Sequence, residues 1–268
     1  MTSQIQERYR YPMILLRELV STNFTLRYQG SYLGYLWSLL RPLGLFAVLY
    51  AVFVRFLRVG DTVPHFPVYL LLGIVLWTYF SEVTNNAVGS IVGQGDLIRK
   101  MNFPKWVIVV AGSASAIINL GFNLAVVVLF MVINKVPVTW RILWLPLVLA
   151  ELFIVSLAVA FLLSALFVRL RDLGHIWEVI MQGAFYATPI LYPLGIVPLG
   201  AAKLLMLSPI AQVIQDARWS LVTPETTTIT DVYGSSWARL ITIGVTLLLA
   251  GLSGWYFRFR SPTFAEEV

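Results

Sequence analysis

Cysteine is absent, histidine occurs twice, and charged side chains make up only 12% of the 268 residues. Without cysteine there can be no disulfide, no thiolate nucleophile and no cysteine metal site. The two histidines, His65 and His175, lie far apart in the chain and match no metal-ligand spacing. A Gly-Lys pair is also missing, since the four lysines follow Arg99, Pro104, Asn134 and Ala202. That rules out the Gly-Lys-Ser/Thr loop with which a P-loop ATPase cradles phosphate. Neither Gly-x-Ser-x-Gly nor His-Glu-x-x-His occurs, and no histidine stands beside a candidate nucleophile.

Apolar residues fill the space left by charge. They reach 59% of the chain, against roughly 45–50% in a soluble domain. One water-soluble core cannot hide that much apolar surface, so lipid must be part of the solvent. A spanning helix needs about 20 apolar residues, and six stretches qualify: 37–57, 66–92, 106–134, 142–168, 175–196 and 240–257. The third and fourth exceed the bilayer thickness, which predicts tilt or protrusion. Gly112, Ser113, Ser115 and Ala116 in the third predict close helix packing. The first thirty residues hold no short apolar stretch with a small-residue cleavage site, so no removable signal peptide is expected. Neither an internal repeat nor a low-complexity tract is visible, and residues 1–268 read as one all-α membrane domain.

Six spans place both termini on one side. The segments on that side carry 12 of the 19 Lys and Arg residues, and the opposite segments carry 7. The more basic side belongs in the cytoplasm of a cell membrane, so both termini are expected there. A scattered positive charge of this kind points to membrane topology and not to nucleic acid. Two further stretches are too polar to span. Residues 11–36 repeat Ile14, Leu15, Leu19, Val20 and Phe24 against Arg17, Glu18, Asn23 and Arg27, the pattern of an interfacial helix or of a surface helix packed on the bundle. Residues 197–239 show helical spacing in KLLMLSPIAQVIQDARWSLV and fit two short helices re-entering the outer leaflet, or a surface loop with one packed helix.

Moving a substrate uphill takes an energy source. Glu151 is the one clearly mid-span carboxylate, which is thin material for a proton relay. The economical alternative is a permease driven by a separate cytoplasmic subunit, and two segments could dock one. In GQGDLIRKMNFPKW (93–106), Gly93 and Gly95 break the preceding helix, Asp96 is a suitable N-cap, and Pro104 stops a short amphipathic helix. The plain alternative is a basic interfacial loop. In RLRDLGHIWE (169–178), Arg169, Arg171 and Asp172 form a tight turn before Gly174.

The stretch RYQGSYLGYLWSLLRP (27–42) resembles the R-Y-x-x-S-x-L-G-x-L-W-x-x-L-x-P signature of permease subunits of type-2 ABC exporters, most closely those exporting O-antigen polysaccharide and teichoic acid. DLIRKMNFPKW is similar to that family's first coupling segment. FVRLRDLGHIWEVIMQGAFYATPILYP is similar to its region between spans four and five, with Thr188, Pro189, Ile190, Tyr192 and Pro193 at the characteristic ending. LSPIAQVIQDARWSL resembles its outer N-P-to-R stretch, with Ser208 where asparagine is usual.

The resemblance implies a homodimeric permease bound to two copies of an ABC ATPase subunit, with ATP and Mg2+ at that partner and no cofactor in this chain. It implies coupling contacts at Asp96, Leu97, Arg99, Lys100 and Phe103 and near Arg17 and Glu18, to which the Arg171–Asp172 turn is added. It also implies a channel between protomers, lined by spans one and five, and re-entrant helices in 197–239.

A glycan presents hydroxyls around apolar C–H faces, and aromatic rings bind such faces without stranding polar groups. Phe46, Tyr50 and Phe53 share one face of span one, and Phe185, Tyr186 and Tyr192 lie in span five. They are candidates for the translocation path, or packing and interfacial aromatics. Arg27, Gly30, Gly34, Trp37 and Arg41 make an elbow, in which glycines bend the chain and Trp37 and Arg41 mark the interface. The expected function is export of a lipid-linked polysaccharide of O-antigen, galactan or teichoic acid type. The alternatives are a small-molecule or drug ABC exporter permease, and an ATP-independent membrane enzyme or assembly factor.

Overall fold

The computed structural model describes residues 12–22, 25, 36–56 and 63–268. Among these, helices are joined by turns and no strand forms. A helix over 12–22 (α1) comes first. Next, α2 (Leu36–Tyr50) runs into a wider π-type turn at Ala51–Phe56. There follow α3 (Phe66–Val88), α4 (Ser90–Gly93), α5 (Gly95–Lys100), α6 (Trp106–Ile133), α7 (Leu145–Arg169) and α8 (Leu173–Ala187). Then come α9 (Leu199–Leu205), α10 (Pro209–Leu221), α11 (Ile229–Tyr233), α12 (Arg239–Arg260) and α13 (Phe264–Glu267).

Five stretches are long and apolar enough to cross a membrane: Leu36–Val54, Phe66–Val88, Trp106–Ile133, Trp140–Arg169 and Ser236–Glu267. They coincide with the first four predicted spans and the last. The predicted fifth, 175–196, differs. Its helix α8 has 15 residues, about 22 Å at 1.5 Å per residue, against a hydrocarbon core of about 30 Å. Thr188 is extended, at φ −74° and ψ 137°, because the ring of Pro189 disfavours helical backbone at the residue before it. The chain then continues to Pro193 as turns and bends.

Helix α3 is the axle of the bundle. It packs against α2, α6, α7, α8 and α10, and 78% of its apolar window is buried, compared with 28% for α6 and 11% for the window that contains α2. Yet α6 is the more hydrophobic of α3 and α6. In water the more apolar helix would be the one wrapped in protein. The reversed order shows that lipid covers the outer helices. Around α3 gather Leu70, Leu72, Ile74, Val107, Leu152 and Val213, all essentially inaccessible.

A second apolar cluster (Leu194, Met206, Ala211, Ile229 and Val232) knits α9, α10 and α11 into a cap at one end of the bundle. Three short helices thus occupy the region where two were expected. Their ends are signalled locally: Pro209 opens α10, Thr228 and Asp231 form a capping box on α11, and Gly234 closes α11 with a left-handed φ of 65°. At the opposite end α13 packs on α5, with Phe264 fully buried and Arg260 bridged to Glu267 at 2.8 Å.

Candidate functional site

Polar side chains inside the bundle mark the first region. Thr78, Ser81, Glu82 and Asn85 recur along one face of α3, Asn119 and Asn123 along α6, and Trp37 and Arg41 along α2. These rows follow the helical spacing of neighbours. Together they line a cavity of about 540 Å³ between the three helices. Asn119 donates to Glu82 Oε1 at 2.7 Å, and Asn85 donates to Ser81 Oγ at 3.1 Å. Asn123 donates to the Ser38 carbonyl at 3.4 Å. That carbonyl lies four residues before Pro42, whose ring nitrogen has no hydrogen to offer it. The amide of α6 therefore repairs a helix bond that α2 cannot make. The polar run SEVTNNAVGS carried this signal, but hydropathy alone assigned it to the tail of a span.

The second region is the end of the bundle that holds α5. The N-cap of α5 is Gln94, with Asp96 in its first turn and Arg99 and Lys100 in its last. Asp96 was expected at the cap. Its place two residues further in, still in the first turn, suits the positive end of the helix dipole. Asp96, Arg99 and Lys100 are exposed, Leu97 is half-buried, and Phe103 is 3% exposed. Phe103 is thus an anchor that holds the segment, with Lys105 over its ring at 5.9 Å. Arg171 and Asp172 are exposed on the turn between α7 and α8. That turn reaches the same end, because Gly174 lies against Val88, the last residue of α3. Arg17 and Glu18 are exposed on α1, whose Leu15, Leu16 and Leu19 pack against the core.

The predicted aromatic path divides into two groups. On α2, Phe46 is buried, stacks on Tyr50 at 5.5 Å and meets Phe130 of α6 edge-on at 5.3 Å, and Phe53 is half-buried. At the end of α8, Phe185 contacts Trp77 of α3 at 5.9 Å and Tyr186 at 5.3 Å. Tyr192 donates to the Ala187 carbonyl at 2.9 Å, and Tyr186 is 68% exposed. Of the elbow residues, Trp37 and Arg41 are exposed and face the polar cavity. Arg27, Gly30 and Gly34 lie outside the described residues.

The third region carries the R of the outer N-P-to-R stretch, but its burial was not visible in the sequence. Arg218 of α10, predicted as one more basic residue of an outer loop, is fully buried. Its guanidinium lies 3.6 Å from the ring centre of Tyr69 and donates to the carbonyls of Tyr69 (3.0 Å), Pro189 (2.6 Å) and Ile190 (2.6 Å) and to Gln215 Oε1 (2.9 Å). The carbonyls at the end of α8 are left over where the proline interrupts the helix, and the planar fork of arginine suits several at once. Gly73 makes room, since a Cβ there would collide with the guanidinium. Two residues away on the chain, Asp216 pairs with Arg239 at 2.8 Å and accepts from Gln212 at 3.2 Å. Burial pushes the Asp216 carboxyl up from its ordinary range, and Arg239 and Gln212 oppose that rise.

Residues 14–222 match the ABC-2 type transporter family, which is most of the chain and leaves out only α11, α12 and α13 among the helices from α2 onwards. The chain belongs to that family. Among curated members, it is 32% identical over 208 residues to the O-antigen export system permease protein RfbA of Myxococcus xanthus, covering 76% of this chain and 77% of that one. It is 26% identical to the protein of the same name from Klebsiella pneumoniae, covering 80% and 82%. To the polysialic acid transport protein KpsM of Escherichia coli it is 22% identical, covering 69% and 72%. As a member of the ABC-2 family the chain is a multi-pass membrane transport subunit.

Proposed function

We propose that this chain is the permease of a polysaccharide exporter of the cytoplasmic membrane. The observation that carries the reading is the 32% identity, over three quarters of both chains, to an O-antigen export permease. The cavity between α2, α3 and α6 supports it, because amides, hydroxyls and two tryptophans are the groups that recognise hydroxyl-rich rings with apolar faces. The cargo is a lipid-linked glycan of O-antigen, galactan or teichoic acid type.

Two copies of the chain pair through the poorly covered faces of α2 and α8. Two copies of a separate ATPase subunit bind beneath, with ATP and Mg2+ held there. Both termini and the α5 end face the cytoplasm, and α1 lies on the inner leaflet. The α9–α11 cap dips into the outer leaflet, its backbone covered by protein as lipid requires. Nucleotide binding biases the ATPase pair between open and closed forms, and the exposed charges of α5, α1 and the α7–α8 turn pass that bias to the bundle.

Depletion of the chain in its own host tests this. Lipid-linked glycan should accumulate on the cytoplasmic face and surface glycan should disappear. Unchanged surface glycan would overturn the reading.

A further inference from the structure

A pocket of about 160 Å³ opens between α7, α10 and α12, on the side of the bundle away from the polar cavity. Its walls are apolar, and Leu147, Ile154 and Leu247 are 60%, 38% and 59% exposed. Its floor is charged. Glu151, deep in α7, accepts only a long hydrogen bond from Thr246 of α12, at 3.4 Å. Among the described residues no cation stands within ion-pair distance of Glu151, for Arg239 is engaged with Asp216. At the rim the lining carboxylate of Asp216 is paired with Arg239, which is 30% exposed and keeps donors beyond the one given to Asp216, and just outside the lining Arg141 lies over the ring of Trp219 at 5.4 Å.

A carboxylate at membrane depth is costly unless a partner meets it. Here Glu151 has the long hydrogen bond from Thr246 but no ion pair among the described residues, while the pocket mouth lies among exposed apolar side chains. From floor to rim the order is a carboxylate, then guanidinium donors, beside a channel for hydrocarbon. A phospholipid with an ethanolamine head has the complementary order: an ammonium with three donors at its tip, a phosphate next to it, and acyl chains beyond. We propose that this pocket is a binding site for an aminophospholipid, with Glu151 receiving the ammonium, Arg239 and Arg141 the phosphate, and the groove beside Leu147, Ile154 and Leu247 an acyl chain. The primary amine is the discriminating group. A trimethylammonium head offers no donor to Glu151, and a glycerol head brings no positive charge.

The site needs only the membrane placement of α7 and α12, so it stands or falls apart from the identity of the exported cargo. The test uses the full-length protein, reconstituted in nanodiscs holding equal amounts of phosphatidylethanolamine, phosphatidylcholine and phosphatidylglycerol and then extracted into mild detergent. Native mass spectrometry counts the retained lipids. Phosphatidylethanolamine should be enriched over the other two, and Glu151→Gln should reduce that enrichment about tenfold, the cost of one charge-assisted hydrogen bond in a partly buried site. Leu247→Trp, at a surface position that folding tolerates, should narrow the groove and lower retention of the same lipid. Equal retention of all three lipids by the unaltered protein, or enrichment that both substitutions leave intact, would overturn the proposal.

Discussion

Helices α3 and α8 share an end of the molecule and an arginine, yet they live in different solvents. Along α3 one residue after another is buried, from Val68 through Trp77. On α8 only Met181 is buried, while Ile176, Val179, Ile180 and Tyr186 are 53%, 69%, 49% and 68% exposed. Both helices are apolar. What separates them is whether protein stands on the other side. For α3 it does, except along the row that lines the polar cavity. For α8 it does on one side only. Hydropathy reports that a residue avoids water and says nothing about what replaces it.

That contrast can be broken most severely at the arginine that joins the two helices. Arg218→Ala leaves three carbonyls and a glutamine without their donor, and should cost about 3 kcal/mol or more. In detergent this appears as a large fall in Tm. Arg218→Lys, which keeps the charge and loses the fork, should recover only part of it.

Next in size is Leu72→Ala, in the fully enclosed α3, at about 3 kcal/mol from lost burial and the cavity left behind. Gly73→Ala forces a methyl against the guanidinium, at about 1–3 kcal/mol of overpacking. By comparison Val179→Ala on α8 should move Tm by an amount worth only about 0.5 kcal/mol. It should instead weaken self-association, measured by light scattering of the purified protein. If Val179→Ala were as costly as Leu72→Ala in the isolated protomer, the distinction between the two helices would be wrong.

Smaller effects sharpen the same division. Charge reversal at Asp96, Arg99 or Lys100, all exposed at the α5 end, should leave insertion and Tm unchanged and uncouple the partner ATPase from transport. The measurement is ATP hydrolysis with and without glycan in reconstituted vesicles. Smallest of all is Tyr186→Leu, which keeps the exposed apolar surface of α8 and removes a hydroxyl and a ring. It should change glycan-stimulated turnover without changing stability, and equal turnover would assign Tyr186 to packing or lipid.

Long apolar runs and basic flanks placed five of the six spans, because a 20-residue hydrophobic stretch has few other fates. The short α5 was legible for the same kind of reason: Gly93 before it, Gly95 at its first residue and Pro104 after it are local punctuation. The early end of α8 was legible in principle, since Thr188-Pro189 is a local rule, but the apolar residues through Tyr192 masked it. Arg218 stands at the R of the outer N-P-to-R stretch, but its burial was not legible. Its burial depends on Tyr69 and Gly73 of α3, and no pattern along α10 points to them. The polar cavity falls between these cases, since its rows repeat at helical spacing, but only the packing of α2, α3 and α6 brings the three rows to one space.

The clasp on Pro189 and Ile190 has a mechanical meaning. It ties the Pro189 end of α8 through polar bonds, whereas the other end rests on apolar contacts, with Gly174 against Val88 and Phe167, beside the exposed Arg171–Asp172 turn. A push at that turn would tilt α8 about the clasp, with displacement falling off along its roughly 22 Å length. If a partner docks at the turn, its stroke would open one side of the bundle more than the other.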